Sequence, residues 1–376
     1  MALPYQEFVL PRNFYACYWQ RKPLVVRQAL PGFHSPLSAD ELAGLACMDH
    51  VEARIVLEKG GATPWEVRHG PFEENVFESL PESHWSLLVQ AVDHWDRDVA
   101  GLRRLFPAVP NWRLDDVMVS YAAHGGSVGP HFDHYDVFLL QGIGRRRWQL
   151  GGRVGTEPQL APDLELNLLR DFSPKEEFTL EPGDALYLPP GYAHWGIADG
   201  ECMTYSIGFR APSASDIIDS FAAEVAERQP EYQRYEDPAE LATAADHPGE
   251  ITESVVQRVH DLVVQRLSQP ALSEWLGAYV TAPKYLSDPI DYDVPAATRD
   301  LDRSPSCRPR DGSRFAFIRR DKGFDLFADG HCYVCPANAE RLVKGLCEGF
   351  PIAPADVVEF REIVLILLRN GSLELE

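Results

Sequence analysis

Gly129-Pro130-His131-Phe132-Asp133-His134-Tyr135-Asp136 runs directly into the apolar Val137-Phe138-Leu139-Leu140. The segment reads as a strand, in which residues two apart share a face. His131, Asp133 and Tyr135 are then expected to point the same way. One imidazole and one carboxylate on one face are two thirds of a facial metal site. The third ligand has to come from another strand. His194 offers it, at the end of Glu181-Pro182-Gly183-Asp184-Ala185-Leu186-Tyr187-Leu188-Pro189-Pro190-Gly191-Tyr192-Ala193-His194. There Pro182-Gly183-Asp184 is a tight turn that feeds a short apolar strand, and Pro189-Pro190-Gly191 is a rigid turn that delivers the histidine.

Two histidines and a carboxylate, with open positions opposite, form the ligand set of non-haem Fe(II) oxygenases. A turn, a short strand, a second turn and a histidine is also how a small double-sheet barrel, the cupin or jelly roll, returns a ligand to a first pair. Between the two elements lies Gln141-Gly142-Ile143-Gly144-Arg145-Arg146-Arg147-Trp148. It reads as a glycine-containing turn between two strands. Alternation sends Arg146 and Trp148 to one face and Arg145 and Arg147 to the other. Iron enzymes of this type commonly use 2-oxoglutarate, whose distal carboxylate needs a fixed cation, and arginine suits a bidentate pair. Three arginines in a row are equally consistent with a solvated face or an anion patch.

The runs GPHFDHYDVFLLQGIGRRRWQLG, EPGDALYLPPGYAHWG and YSIGFRAPS closely resemble the JmjC-type ribosomal oxygenases, and among them the bacterial arginine hydroxylases of ribosomal protein. The likeness extends to Arg21-Lys22-Pro23-Leu24-Val25-Val26-Arg27 and to the layout of the carboxy-terminal half. It implies an α+β chain: a double-stranded β-helix (jelly-roll/cupin) JmjC barrel, a helical dimerisation domain and a C-terminal winged-helix-like domain. The expected boundaries are 1–212 for the oxygenase domain, with its barrel core from about 95, then 213–288 and 289–376. The resemblance implies that His131, Asp133 and His194 bind Fe(II) and serve catalysis, and that Arg146 binds 2-oxoglutarate, with molecular oxygen as co-substrate. It also implies a hydroxyl beside the distal carboxylate nine residues before the first ligand. That position is Ala122 here, which leaves Ser120, Ser127, Thr204 or water to compensate.

The implied substrate is an arginine, hydroxylated at Cβ, in a large-subunit ribosomal protein. The residues make physical sense of it. Asp116, Met118 and Ser120 alternate onto one face of the strand before the metal segment. Asp116 can accept a charge-assisted hydrogen bond from a guanidinium, Tyr135 can pack against the flat cation, Ser206 can add an acceptor, and Met118 can line the aliphatic stem. Histidine hydroxylation of a ribosomal protein and a cupin-type metal protein acting as a non-catalytic interaction module are the alternatives.

The 376 residues carry 57 acidic against 35 basic side chains, for a net charge of −22. That argues against direct nucleic-acid binding and suits a basic partner such as a ribosomal protein, although plain solubility would also explain it. No apolar run reaches the roughly 18–20 residues a membrane helix needs, and no signal peptide is evident. Seven scattered cysteines fit a reducing, cytoplasmic setting. Cys332-Tyr333-Val334-Cys335 has no second pair to complete a zinc site and reads as a strand. His84 and His94 lack ligand spacing with the main site. Residues 213–225 and 251–268 have helical period, the second with Ile251, Val255, Val256, Val259, Leu262, Val263 and Leu267 on one stripe. The expectation is a homodimer through this block. Pro289 to Pro309 reads as a polar linker. Three strands from Ser313 and helices at 337–348 and 353–369 complete the chain.

Overall fold

The computed structural model describes residues 8–59, 65–106, 109–155, 157–162, 165–210, 212–228, 235–237, 247, 249–267, 269–285, 294–303 and 306–375. The chain divides into two compact units, 1–211 and 212–376.

The first unit is built on one sheet. Its strands are β1 (Leu24–Val26), β2 (Ala53–Glu58), β3 (Trp65–His69), β4 (Trp85–Val89), β5 (Leu114–Ala122), β6 (Asp136–Arg153), β7 (Glu176–Leu180), β8 (Ala185–Leu188) and β9 (Tyr192–Phe209). They hydrogen-bond in the order β1-β8-β6-β9-β5-β4-β2-β3, with β7 on β6. β6 and β9 dominate. They run antiparallel from Asp136↔Phe209 to Arg153↔Tyr192, with register irregularities after Gln141, Ile143 and Leu150. The expected turn at Gln141–Trp148 is therefore no turn. Gly144, at φ +61°, and its neighbours kink one continuous strand instead.

Alternation sorts the two faces. Phe138, Leu140, Tyr205, Ile207 and Phe209 join the larger core, together with Phe8, Phe14 and Phe106 from the amino-terminal segments. Phe138 is fully buried, with its ring centroid 5.0 Å from those of Phe106 and Tyr187. Val137, Leu139, Trp148, Leu150, Leu186 and Leu188 line the other face. Burying such side chains is worth about 1.5–3 kcal/mol each. The face selection also separates the arginines as expected. Arg146 is buried, whereas Arg145 is exposed and Arg147 half-buried, and these two pair with Asp199 and Glu177.

The Gly129–Tyr135 stretch is the main local departure. It forms no strand; β6 begins only at Asp136, and His131 makes an isolated bridge to His194. Gly129 adopts φ +78°, and Pro130 has no N–H to give a ladder.

In the second unit, helix Ala214–Glu227 starts on a capping box between Ser213 and Asp216. Helices Glu253–Arg266 and Gln269–Thr281 follow. The strands β10 (Cys307–Pro309), β11 (Phe315–Arg320), β12 (Gly323–Ala328), β13 (His331–Pro336) and β14 (Leu373–Leu375) form a three-stranded sheet, β11-β12-β13, and the pair β10-β14. Cys332 and Cys335 lie on β13, the first exposed and the second buried. The expected linker holds structure: Val294–Arg303 is a helix whose Leu301 is buried, and Cys307 is buried in β10. A polar composition hid these few inward positions. Residues 289–293 and 304–305 of that stretch lie outside the described residues. The expected helix 353–369 is two, Pro354–Glu359 and Arg361–Arg369, parted at the buried Phe360. Among the described residues no helix is long and apolar enough to cross a membrane.

Candidate metal and cofactor centre

The bridge between the two histidine segments sets the site. His131 N donates to His194 O at 3.0 Å, and His194 N donates to His131 O at 2.8 Å. Gly191 N donates to Asp133 O at 2.7 Å, which ties the carboxylate's backbone to the turn before His194. Each imidazole is then oriented by its own chain. His131 Nδ1 lies 2.9 Å from Gly129 O, and His194 Nδ1 lies 2.9 Å from Tyr192 O. With Nδ1–H donated to a carbonyl, Nε2 is left as the coordinating atom.

The ligand atoms of His131, Asp133 and His194 lie within 4.8 Å of one another. His194 Nε2 is 3.6 Å from Asp133 Oδ2. Burial, then the neighbouring His131, hold the His194 pKa down to about 4. Its lone pair is therefore available at neutral pH. Two imidazoles and one carboxylate suit a divalent transition metal.

Arg146 is 4% exposed, and no acidic side chain among the described residues pairs with it. Its Nη1 makes a long contact, 3.5 Å, to Ser120 Oγ, and Nη2 donates to Gly196 O at 3.3 Å. Nε has no acceptor. The guanidinium carbon stands 5.3 Å from the Trp148 ring centroid. Burial lowers its pKa, yet a guanidinium stays charged. A buried charge without a counter-ion costs several kcal/mol. The centre therefore calls for an anion with oxygen acceptors, which a carboxylate of 2-oxoglutarate satisfies.

Ser120 and Thr204 face each other across β5 and β9, and Thr204 faces Gln141 across β6. Thr204 Oγ1 donates to Gln141 Oε1 at 3.2 Å. Ser120 is thus the hydroxyl beside the guanidinium, and Thr204 is one position removed. Ala122 packs with Ala198 and Cys202 in a small buried apolar cluster. Ser127 is engaged elsewhere, accepting from the backbone Gly129 N at 3.0 Å and from the side-chain Trp195 Nε1 at 2.7 Å. Sequence reading named Ser120 only as one of several substitutes. Counting back eleven residues rather than nine from His131 would have reached it.

On the same face of the sheet, Met118 pairs with Ser206 across β5 and β9. Asp116 is buried, and its Oδ2 accepts from Ala91 N at 3.1 Å and Gln90 Nε2 at 3.3 Å. These bonds were not legible beforehand. Ala91 has φ +48°, so the carboxylate also steadies an unusual turn. The Tyr135 hydroxyl is pushed well above its ordinary pKa by burial and then by Asp133 and Asp116. His84, at φ +63°, bonds Ser83 Oγ through Nδ1 and stays apart from the centre.

Comparison with known proteins agrees with this geometry. A JmjC domain model matches residues 102–217. The chain is 39% identical over 277 residues to the ribosomal protein uL16 3-hydroxylase of Escherichia coli K12, covering 73% of this chain and 72% of that one. It is 32% identical over 339 residues to a probable ribosomal oxygenase of Haemophilus influenzae, covering 89% and 83%. Among solved structures, the E. coli ribosomal oxygenase YcfD in complex with cobalt and 2-oxoglutarate superposes with a TM-score of 0.85 at 32% identity, over 99% of each chain. The chain belongs to the JmjC-type ribosomal oxygenases.

Proposed function

We propose that this protein is an Fe(II)- and 2-oxoglutarate-dependent dioxygenase that hydroxylates an arginine side chain at Cβ in a large-subunit ribosomal protein. Its E. coli relative is a 3-hydroxylase of ribosomal protein uL16. The observation that carries the reading is a set of three metal-ligand atoms beside a buried arginine that has no acidic partner among the described residues.

His131, Asp133 and His194 would hold the iron. Arg146, with Ser120 and Thr204 beside it, would hold the distal carboxylate of 2-oxoglutarate. Bound there, the two supply an oxidation in which molecular oxygen converts 2-oxoglutarate to succinate and carbon dioxide and leaves one oxygen atom on a substrate carbon. The chain's own work is positioning and the exclusion of water. Buried Trp148, its ring centroid 6.0 Å from that of His194, gives the centre a dry wall, and Val137, Leu139 and Leu188 belong to the same buried cluster. Asp116, Met118, Tyr135 and Ser206 would receive the arginine. The neutral donors on Asp116 Oδ2 fix where its carboxylate stands, so a guanidinium meets a placed acceptor.

The acidic balance suits a basic ribosomal partner rather than nucleic acid. Seven free thiols and the lack of a membrane-crossing helix among the described residues support a cytoplasmic protein. Exposed Val256, Val259, Leu262 and Val263 on helix Glu253–Arg266 support a homodimer through the helical domain, 213–288. A winged-helix-like domain would occupy 289–376, with helix Val294–Arg303 standing in the stretch expected to be a linker.

The test is a peptide panel. Purified protein with Fe(II) and 2-oxoglutarate should add one oxygen to an arginine of a basic ribosomal peptide, with stoichiometric succinate. Hydroxylation of a histidine analogue with the arginine peptide ignored would refute the assignment.

A further inference from the structure

We propose that Gly208 is the specificity-determining residue of the substrate pocket, because its missing side chain opens a slot for a guanidinium. The inference rests on the arginine-hydroxylase reading and deepens it.

Gly208 lies one residue before the end of β9 and pairs with Val137. A Cβ placed on it would have three nearest neighbours: Asp116 Oδ1 at 3.6 Å, the Asp116 carbonyl oxygen at 3.9 Å and Tyr135 Cε2 at 3.9 Å. The position therefore looks into the gap between a carboxylate and an aromatic ring. The backbone gives no reason for glycine there, since Gly208 is outside the positive-φ positions and sits in a strand that favours side chains. What glycine contributes is space.

Both walls of the gap are held in place. Asp116 Oδ2 is fixed by Ala91 N and Gln90 Nε2. The Arg210 guanidinium carbon stands 5.6 Å from the Tyr135 ring centroid, and Arg210 Nε pairs with the buried Asp115 at 2.8 Å. Arg210's own carbonyl accepts from Arg113 Nε at 3.2 Å. A fixed carboxylate facing a fixed ring suits a flat cation. The carboxylate takes charge-assisted hydrogen bonds while the ring packs on the guanidinium plane. Tyr135 is two residues from Asp133, so the slot adjoins the metal centre. A single methyl at Gly208 would make ordinary contacts with these walls. A β-branched chain would fill the gap or push one wall aside, which closed sites resist.

The experiment uses the full chain loaded with Fe(II) and 2-oxoglutarate. Gly208→Ala is expected to raise KM for an arginine peptide by about threefold, and Gly208→Val by about tenfold or more. Cobalt(II) and 2-oxoglutarate, titrated separately, should bind Gly208→Val within about twofold of the parent, since the substitution touches neither ligand set. An arginine-peptide KM within twofold of the parent for Gly208→Val would overturn the proposal. If Gly208→Val binds no cobalt, Gly208→Ser carries the same test, with a rise above that of alanine expected and none overturning it. A parent protein that hydroxylates no arginine peptide would instead overturn the function on which the slot rests.

Discussion

At the metal centre, polar side chains are buried, as His194 and Arg146 are, or half-buried, as His131 and Asp133 are, and each is tied down. His131 and His194 are held through Nδ1 by carbonyls, Asp133 through its backbone, and Arg146 by Ser120 and Gly196. On helix Glu253–Arg266 the situation is inverted. Val256, Val259, Leu262 and Val263 are apolar and between 42% and 50% exposed. Both regions carry groups in the less favourable surroundings, but they differ in what can be inferred. A buried charge specifies its missing counterpart by sign, geometry and donor pattern. An exposed apolar stripe specifies only that something apolar should cover it. Chemistry at the first therefore follows from directional bonds, whereas the proposed dimer at the second rests on area alone.

The contrast is broken most severely by removing a directional group. Asp133→Ala takes away the only carboxylate of the ligand set. Iron-dependent succinate formation is expected to fall to background, with cobalt(II) no longer retained on a desalting column. Retained metal and turnover would mean that the cluster is structural.

Arg146→Met keeps length and apolar stem but deletes the charge. Losing charge-assisted hydrogen bonds to a carboxylate is worth about 2 kcal/mol, so KM for 2-oxoglutarate should rise roughly 30-fold. The same substitution removes an uncompensated buried cation, so the 2-oxoglutarate-free protein should melt no lower than the parent. A KM within threefold of the parent would show that Arg146 is not there for an anion.

The stripe gives the smallest change in folding energy. Val259→Asp with Val263→Asp alters exposed positions, for which about 0.5 kcal/mol per site is usual. The expected outcome is a shift from dimer to monomer in analytical ultracentrifugation, with little change in Tm at protein concentrations low enough for the parent to be dissociated as well. An unaltered sedimentation profile would leave the stripe as a solvent-facing feature and sharpen the difference between the two regions.

The legibility of these regions in the sequence follows the same division. His131, Asp133 and His194 could be found because a metal site needs particular residue types at particular spacings. Period-2 reading also separated Arg146 from Arg145 and Arg147. The backbone under those ligands was misread. Gly129 and Pro130 prevent a ladder, and the alignment of His131 with His194 comes from a single bridge between distant segments. The family's hydroxyl position is Ala122 here, and of the expected substitutes Ser120 stands beside Arg146, because strand alternation puts positions two apart on one face but at different depths. Asp116 reads from the sequence as a substrate acid. Its bonds to Ala91 and Gln90 join residues 25 and 26 positions away, which periodicity cannot reveal. In the second unit, Leu301 and Cys307 are buried within a stretch whose polar and proline content reads as a linker. There too, tertiary packing decided what local composition could not.

The central claim is hydroxylation of a ribosomal arginine, and the most direct measurement is mass spectrometry of large-subunit ribosomal proteins from cells with and without this gene. The account predicts a single arginine bearing one extra oxygen at Cβ, present with the gene, absent without it, and restored by the parent protein but not by Asp133→Ala. Identical arginine peptides in both cell types, or an added oxygen found only on a histidine, would contradict it.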